Sequence, residues 1–147
     1  MTAIISNSPD ETINLGKQIA LRLEQGSIVA VQGTLGSGKT YLSKGIALGL
    51  GIKENLTSPT YTIINEYTLS ESDRIQGSFF HIDVYRLNNV KDFEDIGGMD
   101  IIYSNGISVI EWSDRIQELL PEHRIDISIE ITGFSSRTIN ITGLETI

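Results

Sequence analysis

The sequence predicts a three-layer α/β domain whose central sheet is mostly parallel with antiparallel additions. Three observations lead there. Short apolar, β-branched runs interleave with stretches of helical period in the order βα-βα-ββ-α-βα-ββ. An unbroken glycine-rich stretch, Gly33-Thr34-Leu35-Gly36-Ser37-Gly38-Lys39-Thr40, joins one such run to a helix. Two strictly alternating segments, Arg124 to Thr132 and Arg137 to Thr142, make a terminal hairpin around Gly133 to Ser136. With 147 residues the chain makes one domain, 1–147, large enough for its own core but not for two.

Thr2 to Ser6 is a short β-like run. Ser8-Pro9-Asp10-Glu11 then signals a helix start, with Ser8 as N-cap, Pro9 in the first helical position and Glu11 closing a capping box. Ile13, Leu15, Ile19, Ala20 and Leu23 form its apolar face, and Gly26 ends it. Ser27 to Gln32 reads as a buried strand. After the glycine loop, Thr40 to Leu50 reads as a helix with Leu42, Ile46, Leu48 and Leu50 apolar and Lys44 turned away. Residues 52–60 are a polar connection, Tyr61 to Leu69 a strand, Ser70 to Gly77 a turn, and Ser78 to Asp83 the return strand. Val90 to Met99 is a short acidic helix broken at Gly97-Gly98. Gly106 to Glu111 is another buried strand, after which Ser113 caps a helix from Asp114 to Leu120, stopped by Pro121.

The glycine stretch fits G-x-x-x-x-G-K-[ST], a pattern this composition yields by chance with a probability of roughly 1%. Its position between strand and helix is the context the pattern requires, and it makes the predicted fold P-loop NTPase-like. Glycines let consecutive N–H groups turn inward around an anion, and the helix N-terminus adds its positive end. Lys39 is then expected at the β- and γ-phosphates of a nucleotide, and the Thr40 hydroxyl on Mg²⁺. A plain glycine turn would need neither the lysine nor the hydroxyl.

Nineteen acidic residues stand against 11 basic ones, a net charge of −8, so the chain lacks the clustered Lys and Arg that would hold nucleic acid by itself. A protein partner, or a small anion in a local positive pocket, fits better. Cys is absent, which removes disulfides and thiolate metal sites. Residues 1–26 carry no basic-then-apolar signal segment, and no run of about 18 apolar residues occurs. The expectation is a soluble, cytoplasmic protein with no membrane association.

A phosphate loop needs a carboxylate near its metal, at the end of a neighbouring strand. Asp83 and Glu111 each end a predicted strand, and ligands of open α/β sheets sit beyond those carboxyl ends. The competing reading for either acid is a turn cap or a solvent-facing carboxylate. Thr60 either brings a second hydroxyl to the metal, as γ-phosphate-sensing loops do, or simply belongs to a Ser-Pro turn. His81 and His123 lack partners at ligand spacing and read as structural. Trp112 stacks near the site or belongs to a core or rim. For Arg86 the default is a pairing with a nearby acid, against contact with phosphate or a partner.

The glycine loop, Thr57-Ser58-Pro59-Thr60-Tyr61, His81-Ile82-Asp83-Val84-Tyr85-Arg86-Leu87, Asp95-Ile96-Gly97 and Ile110-Glu111-Trp112 occur in this order along nearly the whole chain. Together they resemble the bacterial TsaE (YjeE) family. The resemblance implies a cytoplasmic ATPase using ATP and Mg²⁺. It would work with TsaB and TsaD, meeting tRNA only indirectly, in making the N6-threonylcarbamoyl group of adenosine 37 in tRNAs reading ANN codons. The carbamoyl transfer itself would belong to TsaD. Carried over, the resemblance assigns phosphates to Gly33, Thr34, Leu35, Gly36, Ser37, Gly38, Lys39 and Thr40. It assigns Mg²⁺ to Thr40 and Glu111 with Asp83 near the metal, the switch role to Thr60, and the flanks of the adenine to Ser8 and Arg137. Two departures stand out: Thr34 replaces the family's usual Asp and leaves the loop one negative charge short, and Ser113 replaces the usual Pro after Ile-Glu-Trp. Two other readings share the loop: a small-molecule kinase, for which the chain offers no basic lid, and a non-hydrolysing nucleotide sensor. Thr57–Tyr61 has no evident anchor within the chain, and beyond Lys39 the arginine expected near the site is Arg86. The isolated protein is therefore expected to be a weak ATPase that its partners stimulate.

Overall fold

A computed structural model describes residues 1–56, 63–70 and 74–144. Strands β1 (Thr2–Ser6), β2 (Ile28–Gly33), β3 (Ile64–Thr68), β4 (Ser78–Asp83), β5 (Ile107–Glu111), β6 (Ile125–Ile131) and β7 (Arg137–Thr142) form one sheet in the order β1-β7-β6-β2-β5-β4-β3. The inner four, β6, β2, β5 and β4, are parallel, while β1, β7 and β3 add antiparallel edges. Helices α1 (Pro9–Ala20) and α2 (Lys39–Gly49) cover one face. Helices α3 (Val90–Asp95) and α4 (Gly98–Ile102) and a 3₁₀ helix, Ser113–Leu119, cover the other.

Strands β2 and β5, at the middle of the sheet, are buried on both faces and read as continuous apolar runs, whereas β6 keeps its alternation. Val29 and Val31 of β2 pack toward Leu15 and Ile19 of α1 and Leu42 and Ile46 of α2. Ile28 and Ala30 join Phe93, Ile102 and Ile116 on the opposite side. The two covering helices meet through glycines. A Cβ on Gly45 would lie 2.0 Å from the Ile13 carbonyl oxygen, and one on Gly16 would lie 2.8 Å from Gly45 Cα. No other residue permits that separation.

Several local expectations need correction. Ser8 does cap α1, its Oγ accepting from Glu11 N–H at 3.1 Å, but the Glu11 carboxylate accepts from Asn7 N–H rather than closing the box on Ser8. The helix stops at Ala20, well before Gly26. Leu48 is 41% exposed and not part of the core face of α2; Ala47 takes that place. Gly97 starts α4 from the left-handed region rather than only breaking a helix. Ser113 is not a cap. Trp112 holds that position with φ 62°, and the segment winds as a 3₁₀ helix in which Ser113 is the first residue. The strand expected from Tyr61 begins, in the described residues, at Ile64.

Candidate functional site

The loop from β2 to α2 leaves the carboxyl end of a strand with parallel neighbours on both sides, β5 and β6. Chain connections diverge from there, so the crevice at that end is open to a ligand. Gly36 and Gly38 have φ of 79° and 107°, values that suit glycine alone among common residues. A Cβ on Gly33 would meet Ser37 Oγ at 2.6 Å and the Ile129 carbonyl at 2.7 Å, so the loop also needs glycine for its close approach to β6. Ser37 and Lys39 are buried within the turn, while Leu35 projects into solvent.

Lys39 Nζ donates to the carbonyl oxygens of Gly33 (2.6 Å) and Thr34 (3.0 Å) and lies 4.0 Å from the centre of the Trp112 ring. Its pKa is lowered, first by desolvation, with the negative charges of Glu111, Asp83 and Asp114 opposing that effect. A cation held in so little water is strongly drawn to an incoming anion.

Asp83 and Glu111 stand opposite one another in the parallel register of β4 and β5. Registered residues of parallel strands share a face, so both point to the α2 side. Glu111 is 2% exposed and accepts from Thr40 Oγ1 (3.0 Å, at Oε1) and from Ser43 Oγ (3.1 Å, at Oε2). Its Oε2 also touches His81 Nε2. Asp83 is half-buried, and its Oδ1 accepts from Tyr85 N–H at 2.9 Å. Burial raises the Asp83 pKa, and the charge of Glu111 adds to this; the Tyr85 N–H, His81 and Arg86 oppose it. Gly36, Gly38, Lys39, Thr40, Asp83 and Glu111 line one cavity of about 480 Å³, with Tyr85 and Trp112 as its aromatic wall.

The structure thus brings together the glycine loop, Lys39, Thr40, Asp83 and Glu111. Thr60, with the whole Thr57–Tyr61 segment, lies outside the described residues. Arg137 reaches the loop from beneath: Nε donates to the Ser37 carbonyl (3.1 Å) and Nη2 to the Gly36 carbonyl (3.2 Å). Ser6, two residues before Ser8, pairs in register with Arg137, while the hydrogen bonds of Ser8 itself run to Ser6, Glu11 and Thr12. Three residues were undervalued from sequence. Trp112 is a wall of the site, its ring 4.6 Å from that of Tyr85. His81, read as merely structural, touches Glu111, and Ser43 does likewise. Arg86 is exposed and its charge opposes the rise in the Asp83 pKa, and it is not the lone arginine nearby. Arg115 also lies over Tyr85 and Trp112, 5.0 and 5.7 Å from the ring centres. Its spacing, one helical turn after Thr40, is the signal that could have found Ser43; no spacing in the sequence marks His81.

Among the described residues no helix is long and apolar enough to cross a membrane. The family model for "Threonylcarbamoyl adenosine biosynthesis protein TsaE" matches residues 6–139. A tRNA threonylcarbamoyladenosine biosynthesis protein TsaE of Treponema pallidum (strain Nichols) is 41% identical over 137 residues, 93% of this chain and 97% of the relative. That of Bacillus subtilis (strain 168) is 36% identical over 137 residues, 93% of this chain and 82% of the relative. The crystal structure of Bacillus subtilis YdiB superposes with a TM-score of 0.75 at 30% identity, covering 98% of this chain and 86% of that one. With the family model spanning the glycine loop, both strand-end acids and the sheet from β2 to β6, the chain belongs to the TsaE family.

Proposed function

We propose that the chain is an ATPase that acts with TsaB and TsaD in the threonylcarbamoylation of adenosine 37 in tRNAs reading ANN codons. The observation that carries this reading is the hydrogen bond between Thr40, the last residue of the glycine loop, and Glu111, at the end of the adjacent strand. A hydroxyl and a carboxylate at that junction suit a Mg²⁺ ion that also binds nucleotide phosphates, because Mg²⁺ commonly takes one or two carboxylates and completes its shell with phosphate and water. Glycine backbone shaped for close approach, a desolvated lysine and a cavity of about 480 Å³ fit the nucleotide itself. When bound, the metal neutralises charge on the β- and γ-phosphate oxygens.

The chain's own residues have separable tasks in this reading. Lys39 exchanges the Gly33 and Thr34 carbonyls for phosphate oxygens. Glu111 and Thr40 hold the metal, and Asp83, whose pKa is raised by burial, is the carboxylate suited to orienting a water and taking its proton. Ser8 and Arg137 flank the adenine, and Thr60 senses the γ-phosphate.

One task is not assigned to any residue of this set, although Lys44 also lines the cavity. Efficient phosphoryl transfer uses a further cation on the developing charge, worth about 10³–10⁵ in rate when supplied in cis or by a partner. Arg137 is engaged with four backbone carbonyls, of Gly36, Ser37, Gly133 and Ser136, and Arg115 stacks on aromatic rings. A TsaB–TsaD complex would supply the cation. The test is steady-state ATP hydrolysis with and without purified TsaB–TsaD. Slow turnover alone and stimulation by the pair are expected. A fast isolated protein would point to a self-sufficient kinase or ATPase, and binding without turnover in either state to a nucleotide sensor.

A further inference from the structure

We infer that His81 is a positioning residue, whose Nε2–H holds the inner oxygen of Glu111 so that the outer oxygen is presented beside Thr40. The inference rests on the nucleotide–metal reading of the site and extends it to a residue that reading does not use. His81 is 0% exposed, in the interior of β4. Its register partner on β5 is Val109, whereas Glu111 stands opposite Asp83. The two side chains therefore meet along the sheet across an offset of two residues.

The hydrogen bonds give this contact a direction. Nδ1 of His81 is the buried side-chain nitrogen or oxygen that lacks a partner among the described residues. A ring N–H with no acceptor in the interior is costly, while an unfilled lone pair is less so; the proton therefore sits on Nε2, facing the carboxylate. Oε2 then receives His81 and Ser43, and Oε1 receives Thr40 alone of the three. The Thr40 hydroxyl rotates, and the single proton of the Ser43 hydroxyl is divided between Glu111 Oε2 and the Lys39 carbonyl, each at 3.1 Å. An Nε2–H donates along one fixed line. Of the three contacts, only the imidazole dictates which carboxylate oxygen stays inside and which faces the glycine loop.

A histidine serving only to fill the core would predict none of this asymmetry, and two measurements separate the cases. The first needs no ligand: long-range ¹⁵N NMR of the parent protein reads the tautomer. The Nε2–H form of His81 is expected, and the Nδ1–H form overturns the inference. The second compares His81→Leu with His81→Gln, whose amide nitrogen can reach the Nε2 position. Each folded variant, checked by circular dichroism, is titrated with Mg²⁺ in the presence of a non-hydrolysable ATP analogue, and with the analogue alone in EDTA. Groups that orient a metal ligand are typically worth about 10- to 100-fold in metal affinity. His81→Leu should lose Mg²⁺ affinity on that scale while metal-free analogue binding stays within about twofold, a change near 0.4 kcal/mol. His81→Gln should recover much of the loss. Unchanged Mg²⁺ affinity in His81→Leu, or a folded Gln variant as poor as Leu, overturns the positioning role. Parent protein that binds no analogue would instead refute the nucleotide reading, and the tautomer would then decide the pairing by itself. If neither variant folds, the tautomer again decides.

Discussion

Replacing Glu111 separates the fold from the chemistry, provided that two substitutions are compared. Glu111→Ala removes the acceptor of three donors at a site 2% exposed. Their losses differ. Ser43 keeps its bond to the Lys39 carbonyl, and the Thr40 hydroxyl lies at the edge of the cavity, where it can turn to water. The His81 N–H, fully enclosed, is left without an acceptor, a penalty of about 1–3 kcal/mol. The deleted side-chain atoms add a cavity term of about 1 kcal/mol. The Ala variant should therefore be about 2–4 kcal/mol less stable, and at ~3 °C per kcal/mol for a domain of this size its melting temperature should fall by about 6–12 °C. Glu111→Gln keeps the volume. Its amide oxygen can face His81 while its NH₂ faces Thr40, whose hydroxyl accepts. What is lost is the stronger bonding to a charged acceptor, about 1 kcal/mol. Turnover should still fall by about 10²-fold or more, because a neutral amide replaces a metal carboxylate worth several kcal/mol of charge stabilisation. Thermal melts and Mg²⁺-ATP hydrolysis, with ATP binding in EDTA as control, read the two effects separately. A Gln variant turning over like the parent would refute the metal role. Equal melting of the Ala variant and the parent would refute the energetic account of the buried bonds.

Two further perturbations follow from the same geometry. Lys39→Ala should weaken ATP binding by about 10- to 100-fold or more, the range of a charge-assisted hydrogen bond of about 1.5–3 kcal/mol, and calorimetry giving parental affinity in a folded variant would remove Lys39 from phosphate binding. Asp83→Asn should stabilise the protein near neutrality: because the folded pKa is raised above 3.8, Asp83 favours folding below that value, and this contribution is lost as pH rises through the folded pKa. Asn keeps an acceptor for Tyr85 N–H and carries no charge, so its advantage in thermal melts should be clear at about pH 7 and shrink toward about pH 4; a gain independent of pH would refute the assignment.

Features that depend on residues close together in the chain were legible in the sequence. The Ser8 cap, the parallel inner strands and the glycine loop all rest on short-range pattern, and each stands in the structure. Asp83 and Glu111 were legible because strand ends in an open α/β sheet share one rim. What escaped was decided by contacts between elements. Leu48 satisfies helical periodicity, yet the helix pair meets along Gly16, Gly45 and Gly49, which turns Ala47 inward and Leu48 out. Ser113 has the chemistry of a cap, but Trp112 turns the chain through a left-handed backbone to set its ring beneath Lys39. His81 lacks a second His or Cys at ligand spacing, so a search for metal-ligand clusters passes over it. Its role depends on contact with Glu111 of the neighbouring strand, and spacing alone does not encode that.

The glycine loop has few side chains of its own to keep it in shape, and the fold supplies the restraint from elements distant in sequence. Arg137, 100 residues beyond Ser37, ties two loop carbonyls to β7. Glu111, 71 residues beyond Thr40, fixes the first turn of α2 to β5. The helix itself cannot slide, because backbone of α1 lies where any side chain on Gly45 would have to go. These three braces act on different parts of the loop: its apex, its junction with the helix, and the axis of the helix. Each is formed on folding, so the ordering of a glycine-rich segment is already accounted for before any anion arrives, and less binding energy is lost to it. If the loop binds nucleotide as proposed, substitutions outside the glycine stretch, at Arg137 or Gly45, are expected to weaken that binding in calorimetry with the non-hydrolysable analogue, and parental affinity in folded variants would refute this account of the braces.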